Sequence, residues 1–592
     1  MNYGRKLWEE KEALVIWVLV TGVLAFVSII CPPYYSMNDD VMMKSILSGS
    51  YTGSPDGHAV YMKYPISGVL SLLYRLTDGI SWFDLMMTSC FVLAISAVVL
   101  RTLRMGRACQ DQSRKWISVA MAGLLCLAIF MPHILTMHYT LVAAMLGSCA
   151  LFLVTTGGGS LWVLMLLLCY GIRSQIFYLL LPFLGVGFAW RFVTEWKSVA
   201  GGDAADARRR SRKLGVELLV LTVGIVACML WNGFMYGGAD WQQYLQYNDS
   251  RTRLYDYEHL VPYEENRESF ERVGISERQY DILEQYVLVL DEEIDVQTME
   301  AAADITEQKI QEQTGTIQQW KDSVKEYYYH LRYTDTPYKY LTIVGYLLVF
   351  LLLLGKKEWL RSLLLCGMAG GRSLIWVYLI WCGRFPERIY VSLYFMDLMI
   401  LAGMAAEILL IYKRKGQIPL PAEPAGHGKV TKAVPYLLIG AVCMICVLVG
   451  ADQWNLMYER TMEKKQKQAE WEAMVAYCEA HPENLYCLDV QSMVNYSGKV
   501  WESGQMRENY LLAGGWMSGS PLLKRRLGDV PDGGALLLKQ QEKCYYIIGA
   551  DKETGWLQEY CESRFGEVTV EKVDEIRLEG KEIFSVIQLK KE

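Results

Sequence analysis

Apolar runs of near-membrane length alternate along the 592 residues with short basic stretches and three long polar segments. A helix needs about 20 apolar residues to cross the hydrocarbon core of a bilayer, and the runs 13–28, 215–231 and 433–450 approach or meet that length. The pattern predicts eleven spanning helices, at 13–31, 83–100, 116–131, 139–155, 161–172, 175–190, 215–235, 341–355, 362–382, 390–412 and 434–452. The run 161–172 meets Gly171 and Arg173 before a full span has passed, so it and 175–190 read as two short or re-entrant helices meeting near Arg173. No solenoid repeat and no inverted pair of broken helices is visible, which weakens a transporter reading.

Basic residues give the orientation. Arg101, Arg104, Arg107, Arg114 and Lys115 fill one short loop; Arg208, Arg209, Arg210, Arg212 and Lys213 fill another. Lys356, Lys357 and Arg361 mark a third, and Lys413, Arg414 and Lys415 a fourth. Eleven spans put all four on the amino-terminal side, which the positive-inside rule makes cytoplasmic. Arg5, Lys6 and Lys11 precede the first span without a small-residue cleavage exit, so that span is expected to stay as an anchor.

Three polar regions then fall outside: loops 32–82 and 237–340, and the tail. The expected architecture is a polytopic helical body over 1–453, with a helical cap in the second loop (helices near 281–290 and 306–329), and an extracytoplasmic α/β domain over 454–592. The tail reads as helix 457–481, strands 485–488, 545–548 and 583–589, and a helix at 553–565.

Composition adds little. The net charge of −6 is the sum of segregated basic loops and acidic segments and gives no sign of a nucleic-acid partner. Most of the 15 cysteines fall in apolar runs, where a thiol acts as a small hydrophobe. Cys478, Cys487, Cys544 and Cys561 sit together in the tail, and without a close CxxC pair they point to free or partly paired thiols rather than to zinc.

Candidate chemistry starts at Asn38-Asp39-Asp40, where two carboxylates follow the first span at once. Desolvation and a neighbouring like charge raise a carboxyl pKa, which suits a general base that deprotonates a hydroxyl. The competing reading is that Asp39 caps a helix over 41–47. Arg173 stands between two apolar runs, Arg372 inside the ninth span, and Arg384 and Arg388 in the turn before the tenth. Charges so placed must pair, face a wet cavity or meet a phosphate, to which a guanidinium is well matched. Anchoring, with Glu387 as partner, is the alternative for Arg384 and Arg388. His58, Lys63, Tyr64 and His138 are candidate substrate contacts, although a histidine at a span end is commonly structural. Tyr51, Tyr61, Tyr64, Trp241, Tyr244 and Tyr247 are candidates for stacking on sugars or for an interfacial belt, and Gly514-Gly515-Trp516 for a glycan groove or a turn.

The acidic pair just after the first helix resembles the GT-C superfamily of integral-membrane glycosyltransferases, whose first outer loop opens on an acidic residue, often as an Asp-Asp or Asp-Glu pair. The resemblance spans roughly the first 400 residues, with 41–47 and 65–76 standing where those enzymes carry helices along the membrane. It implies Asp39 as the base that activates an acceptor, Asp40 as its partner, and a polyprenyl-phosphate-linked sugar as donor. Arg173, Arg372, Arg384 and Arg388 are then expected to bind the donor phosphate. The next outer loop lacks the second acidic residue frequent in these families and offers His133 and, nearby, His138, which counts against a metal-dependent mechanism. A divalent cation at Asp39 and Asp40 is the one cofactor left open. The expectation is an inverting hexosyl or pentosyl transferase acting on an extracytoplasmic glycan or lipid-linked acceptor in a bacterial plasma membrane. A polymerase or ligase using polyprenyl diphosphate, a flippase, and a non-catalytic assembly protein are the rivals.

Overall fold

A computed structural model describes residues 2–107, 122–200, 204–257, 259–333, 336–411, 430–496, 498–502, 509–539 and 543–591. The chain is a polytopic helical membrane protein: among the described residues seven helices are long and apolar enough to cross a bilayer. These are Lys11–Ile30, Trp82–Arg107, Ser174–Lys197, Ala205–Met235, Tyr338–Gly355, Trp359–Trp381 and Glu387–Leu410. Ala122–Ile134, Tyr139–Thr155 and Leu161–Ile172 are shorter apolar helices. With the apolar start of the helix Val430–Ala480, they fall on the expected runs. Residues 116–121 of the third expected span and the basic stretch 413–415 lie outside the described residues.

In chain order, α1 (Asn2–Ile30) leads through β1 (Tyr34–Tyr35) into α2 (Asn38–Ser48), and α3 (Tyr64–Leu76) precedes α4 (Trp82–Arg107). β2 (Thr136–Met137) runs straight into α5 (Tyr139–Thr155), which is buried along its whole length and forms the centre of the bundle. α3 is amphipathic: Leu70 and Tyr74 are buried, while Val69, Leu72 and Leu76 stay exposed, the pattern of a helix lying along an apolar surface.

α6 (Leu161–Ile172) and α7 (Ser174–Ala200) are separated by one residue, Arg173, in extended conformation (φ −150°, ψ 92°). The chain thus breaks where expected, but α7 is a full-length helix rather than a short one. Close packing fixes the break. The Gly171 carbonyl accepts a hydrogen bond from the Lys63 N–H (2.8 Å), and a Cβ on Gly171 would lie 2.2 Å from Ile66 Cδ1. Gly171→Ala is therefore expected to destabilise the protein by about 1–3 kcal/mol, the usual size of an overpacking defect. An unchanged unfolding midpoint in detergent would contradict that.

α8 (Ala204–Met235) is mostly exposed along its apolar length, as a lipid-facing helix would be. The segment after it is a helical cap, as expected: α9 (Ala239–Thr252), α10 (Tyr263–Arg272), α11 (Glu277–Glu284), α12 (Val296–Thr314) and α13 (Thr316–Tyr333). α14 (Tyr338–Gly355), α15 (Trp359–Trp381) and α16 (Glu387–Ala406) return to the body.

α17 (Val430–Ala480) is one helix of 51 residues that carries the last apolar run and continues into the tail, so the expected boundary at 453/454 falls inside a helix. Residues 451–480 hold no Gly or Pro to stop it. The tail sheet has five strands in the order β4-β3-β5-β7-β6, formed by β3 (Leu485–Leu488), β4 (Tyr510–Leu512), β5 (Cys544–Gly549), β6 (Val568–Leu578) and β7 (Lys581–Lys591). β3 pairs in parallel with β4 and β5; β7 is antiparallel to β5 and β6. The cap and the tail share one apolar core, in which Leu254, Leu283 and Leu290 of the cap pack with Cys487, Leu537 and Leu557 of the tail. Cys478, Cys487, Cys544 and Cys561 are buried free thiols.

Candidate active site

Short strand pairing places the acidic pair. β1 runs parallel to β2, with Tyr34 opposite Thr136 and Tyr35 opposite Met137. The tail joins them, since Tyr35 donates to the Gly498 carbonyl (2.9 Å) and Val500 to that of Pro33 (2.9 Å). The chain leaving α1 is thereby laid beside the chain entering α5. α2 begins at Asn38, earlier than expected, and Met37 at its cap offers no side-chain bond. Asp39 and Asp40 occupy its first turn, where the helix dipole favours negative charge.

The two aspartates differ. Asp40 is wholly buried and accepts a hydrogen bond from the Tyr139 N–H (2.9 Å), so it caps α5 rather than its own helix. Its second oxygen lies 3.9 Å from His138 Nδ1, which itself accepts from the Thr140 N–H (3.0 Å). Burial pushes the Asp40 carboxyl well above the usual carboxylate range, against the opposing effect of the Tyr139 bond. Asp39 is half-buried, and among the described residues its carboxylate has no hydrogen bond or ion pair. Burial raises its pKa, while the positive charges of Arg388, Arg173 and Arg251 pull it back and Asp256 adds a smaller push upward.

Among the described residues those three arginines have only neutral partners at contact distance. Arg173 lies on the ring faces of Tyr61 (5.1 Å) and Tyr139 (5.3 Å), and its Nη1 is buried without a hydrogen-bond partner. Arg251 donates to Asn248 Oδ1 (3.0 Å), the Tyr286 hydroxyl (2.8 Å) and the Tyr61 hydroxyl (3.4 Å). Arg388 contacts Met37 Sδ (3.0 Å), because its expected partner Glu387 is bound by Arg460 (2.7 Å). Arg384 does pair, with Asp256 (2.9 Å), and rests on the Tyr257 ring (4.9 Å). Arg384 and Arg388 line a polar cavity of about 490 Å³ together with Asp256, Glu326, Tyr255 and Phe385.

Other candidates lie elsewhere. Arg372 is buried in the bundle, paired with Asp397 (2.8 Å) and seated on Trp376 (4.3 Å); the structure does not bring it to Asp39. His58 uses both ring nitrogens, on Asp56 Oδ1 (2.6 Å) and the Met235 carbonyl (3.2 Å), and stacks on Trp241 (4.3 Å) with Tyr64 against its edge. His58 and Tyr64 therefore build a wall. Lys63 is half-buried near Arg173, and burial with that like charge lowers its pKa. His133 bonds the Tyr338 hydroxyl (2.9 Å) inside the bundle.

No family model matches the chain, and no curated protein matches it. Among solved structures, the crystal structure of ArnT from Cupriavidus metallidurans bound to undecaprenyl phosphate aligns with 99% of this chain and 98% of its own, at 12% identity and a TM-score of 0.43. A likeness of that size leaves the chemistry of this chain to its own residues.

Cations and a backbone amide set the surroundings of Asp39 and Asp40. Three guanidiniums act on Asp39, the Asp40 carboxyl serves the Tyr139 amide, and the described residues hold no cluster of three His, Cys, Asp or Glu side chains. The arrangement suits an anion whose negative charge would complete the set. Sequence reasoning missed Arg251, Asp256, Tyr139 and Tyr286. The first two sit in a polar loop where charge is ordinary, and only the fold brings them to the site.

Proposed function

We propose that this protein is a GT-C-like membrane glycosyltransferase that moves a sugar from a polyprenyl-phosphate-linked donor to a glycan or lipid-linked acceptor on the outer face of a bacterial plasma membrane. The amino terminus lies in the cytoplasm, and the cap and tail lie outside. One observation carries the reading: a half-buried carboxylate lies in the field of three guanidiniums, and among the described residues none of the four has an ion partner. A base and an excess of fixed positive charge in one place are what transfer from a phosphate leaving group needs.

In the step, Asp39 takes the proton of the acceptor hydroxyl as its oxygen attacks the anomeric carbon. The bond from that carbon to the phosphate oxygen breaks, and its electron pair leaves with the lipid phosphate, whose charge Arg173, Arg251 and Arg388 stabilise. A single displacement inverts the anomeric configuration. The cations are held on aromatic faces and neutral hydroxyls, so they need not break ion pairs to receive the phosphate.

The test is sugar transfer by purified protein in nanodiscs, given a panel of polyprenyl-phosphate sugars and total cell-envelope acceptor. Arg173→Gln and Arg388→Gln are each expected to weaken donor binding by roughly 10- to 100-fold, the size of a lost charge-assisted hydrogen bond. Transfer indifferent to both variants would remove the arginines from the mechanism. Movement of the lipid across the bilayer without formation of a glycoside would replace the enzyme with a flippase.

A further inference from the structure

The tail reaches the body at the two tyrosines that hold Arg251. Tyr61 belongs to the loop between α2 and α3 and Tyr286 to the cap, and each accepts a hydrogen bond from the Arg251 guanidinium. Behind Tyr61 stands Trp516 of the tail, its ring centroid 4.8 Å away and tilted by 50°. The Trp516 backbone carbonyl accepts from the Tyr244 hydroxyl (2.5 Å), which ties this stretch of the tail to the cap.

Behind Tyr286 stands Gly514. A Cβ there would lie 1.9 Å from the Tyr286 carbonyl oxygen, so a glycine is required for the tail to come this close. Tyr286 has a φ of +59°, a conformation that a non-glycine residue holds only when its surroundings impose it. Those surroundings are the Arg251 bond, the Tyr255 ring (4.5 Å) and the tail, whose Ala513 carbonyl accepts from the nearby Val289 N–H (2.8 Å). Two segments remote in sequence thus present hydroxyls to one guanidinium, and a single tail segment backs both.

We infer that residues 513–516 of the tail are a positioning element for the phosphate site, in which Trp516 sets Tyr61, Gly514 sets Tyr286, and the two tyrosines fix Arg251 near Asp39. The inference rests on the proposed function and deepens it: the tail is part of the transferase rather than an appended module. Trp516 itself is almost fully buried and acts through Tyr61, so its removal changes the aim of a cation and takes no contact from the ligand.

A double-mutant cycle read by binding of decaprenyl phosphate to the full-length protein in nanodiscs tests it. Trp516→Ala is expected to weaken binding about tenfold, and Trp516→Phe to restore most of it. In an Arg251→Gln background, Trp516→Ala is expected to add less than about a twofold loss, since the cation it aims is gone. Wild-type binding by Trp516→Ala, or a loss in the double variant equal to the product of the single losses, would overturn the inference and leave the proposed function standing. If Trp516→Ala does not fold, the milder Trp516→Leu takes its place in the same cycle. Failure of the wild-type protein to bind decaprenyl phosphate would overturn both.

Discussion

Asp39→Asn is expected to slow sugar transfer by about 10²- to 10⁴-fold, the usual contribution of a general base, while decaprenyl phosphate binds at least as tightly as before. The two halves have one cause. Asp39 is the negative charge within a positive field, so its neutral isostere cannot take a proton but leaves three guanidiniums with less to compensate. Burial raises the Asp39 pKa, so the acid limb of kcat/KM should fall above the ordinary carboxylate value of about 3.9. The sign is fixed: the base works when deprotonated, so activity is present above the raised pKa and is lost as pH falls through it. Arg388 lowers that pKa, so Arg388→Gln should move the limb further towards neutrality. Asp40→Asn serves as the contrast, because an amide oxygen can still accept from the Tyr139 N–H and the variant should keep most of its rate. Wild-type turnover in Asp39→Asn, or an acid limb that ignores Arg388, would take the base away from Asp39.

Much of this was legible in the sequence because a bilayer imposes a simple rule. Apolar runs of the required length stand out, and each expected span that lies among the described residues falls on a helix. A charge inside or between such runs also stands out, which is what makes Arg173, Arg384 and Arg388 candidates. Legibility ended where the solvent is water. Arg251 is one charge among many between 237 and 340, and Tyr286 one tyrosine among many. What distinguishes Tyr286 is its close approach to Gly514, more than 200 positions away, and what distinguishes Arg251 is its bonds to Tyr61 and Tyr286; no local pattern records such contacts. The sequence predicts the tail as an α/β domain over 454–592. Some of its apolar positions make one core with those of the cap, while Trp471, Cys478, Tyr486 and Phe584 pack in a second core within the tail. α17 likewise runs through the place where its apolar run stops, since a change of solvent ends the hydropathy signal without ending the helix.

Arg372 shows a strong signal that has two physical meanings. A guanidinium in an apolar helix is either a ligand for an anion or half of an internal pair, and the sequence cannot choose between them. The structure pairs it: Arg372 Nε donates to Asp397 (2.8 Å), Nη1 to the Tyr327 hydroxyl (3.2 Å), and the cation lies on Trp376, while Asp397 also accepts from Tyr346 (2.9 Å). Asp397→Ala is therefore expected to cost about 3–5 kcal/mol of stability, because it strands a buried cation, and Arg372→Ala a similar amount by stranding the carboxylate. Replacing both at once, as Arg372→Met with Asp397→Leu, should recover most of the loss, since two apolar side chains need no partner. Thermal unfolding in detergent measures this. Binding of decaprenyl phosphate per folded molecule should match wild type in all three variants, because no phosphate contact is removed. A folded Arg372→Ala that has lost phosphate binding would return this residue to the donor site. Equal destabilisation in the double variant would mean that the pair is held by its aromatic neighbours more than by its charges.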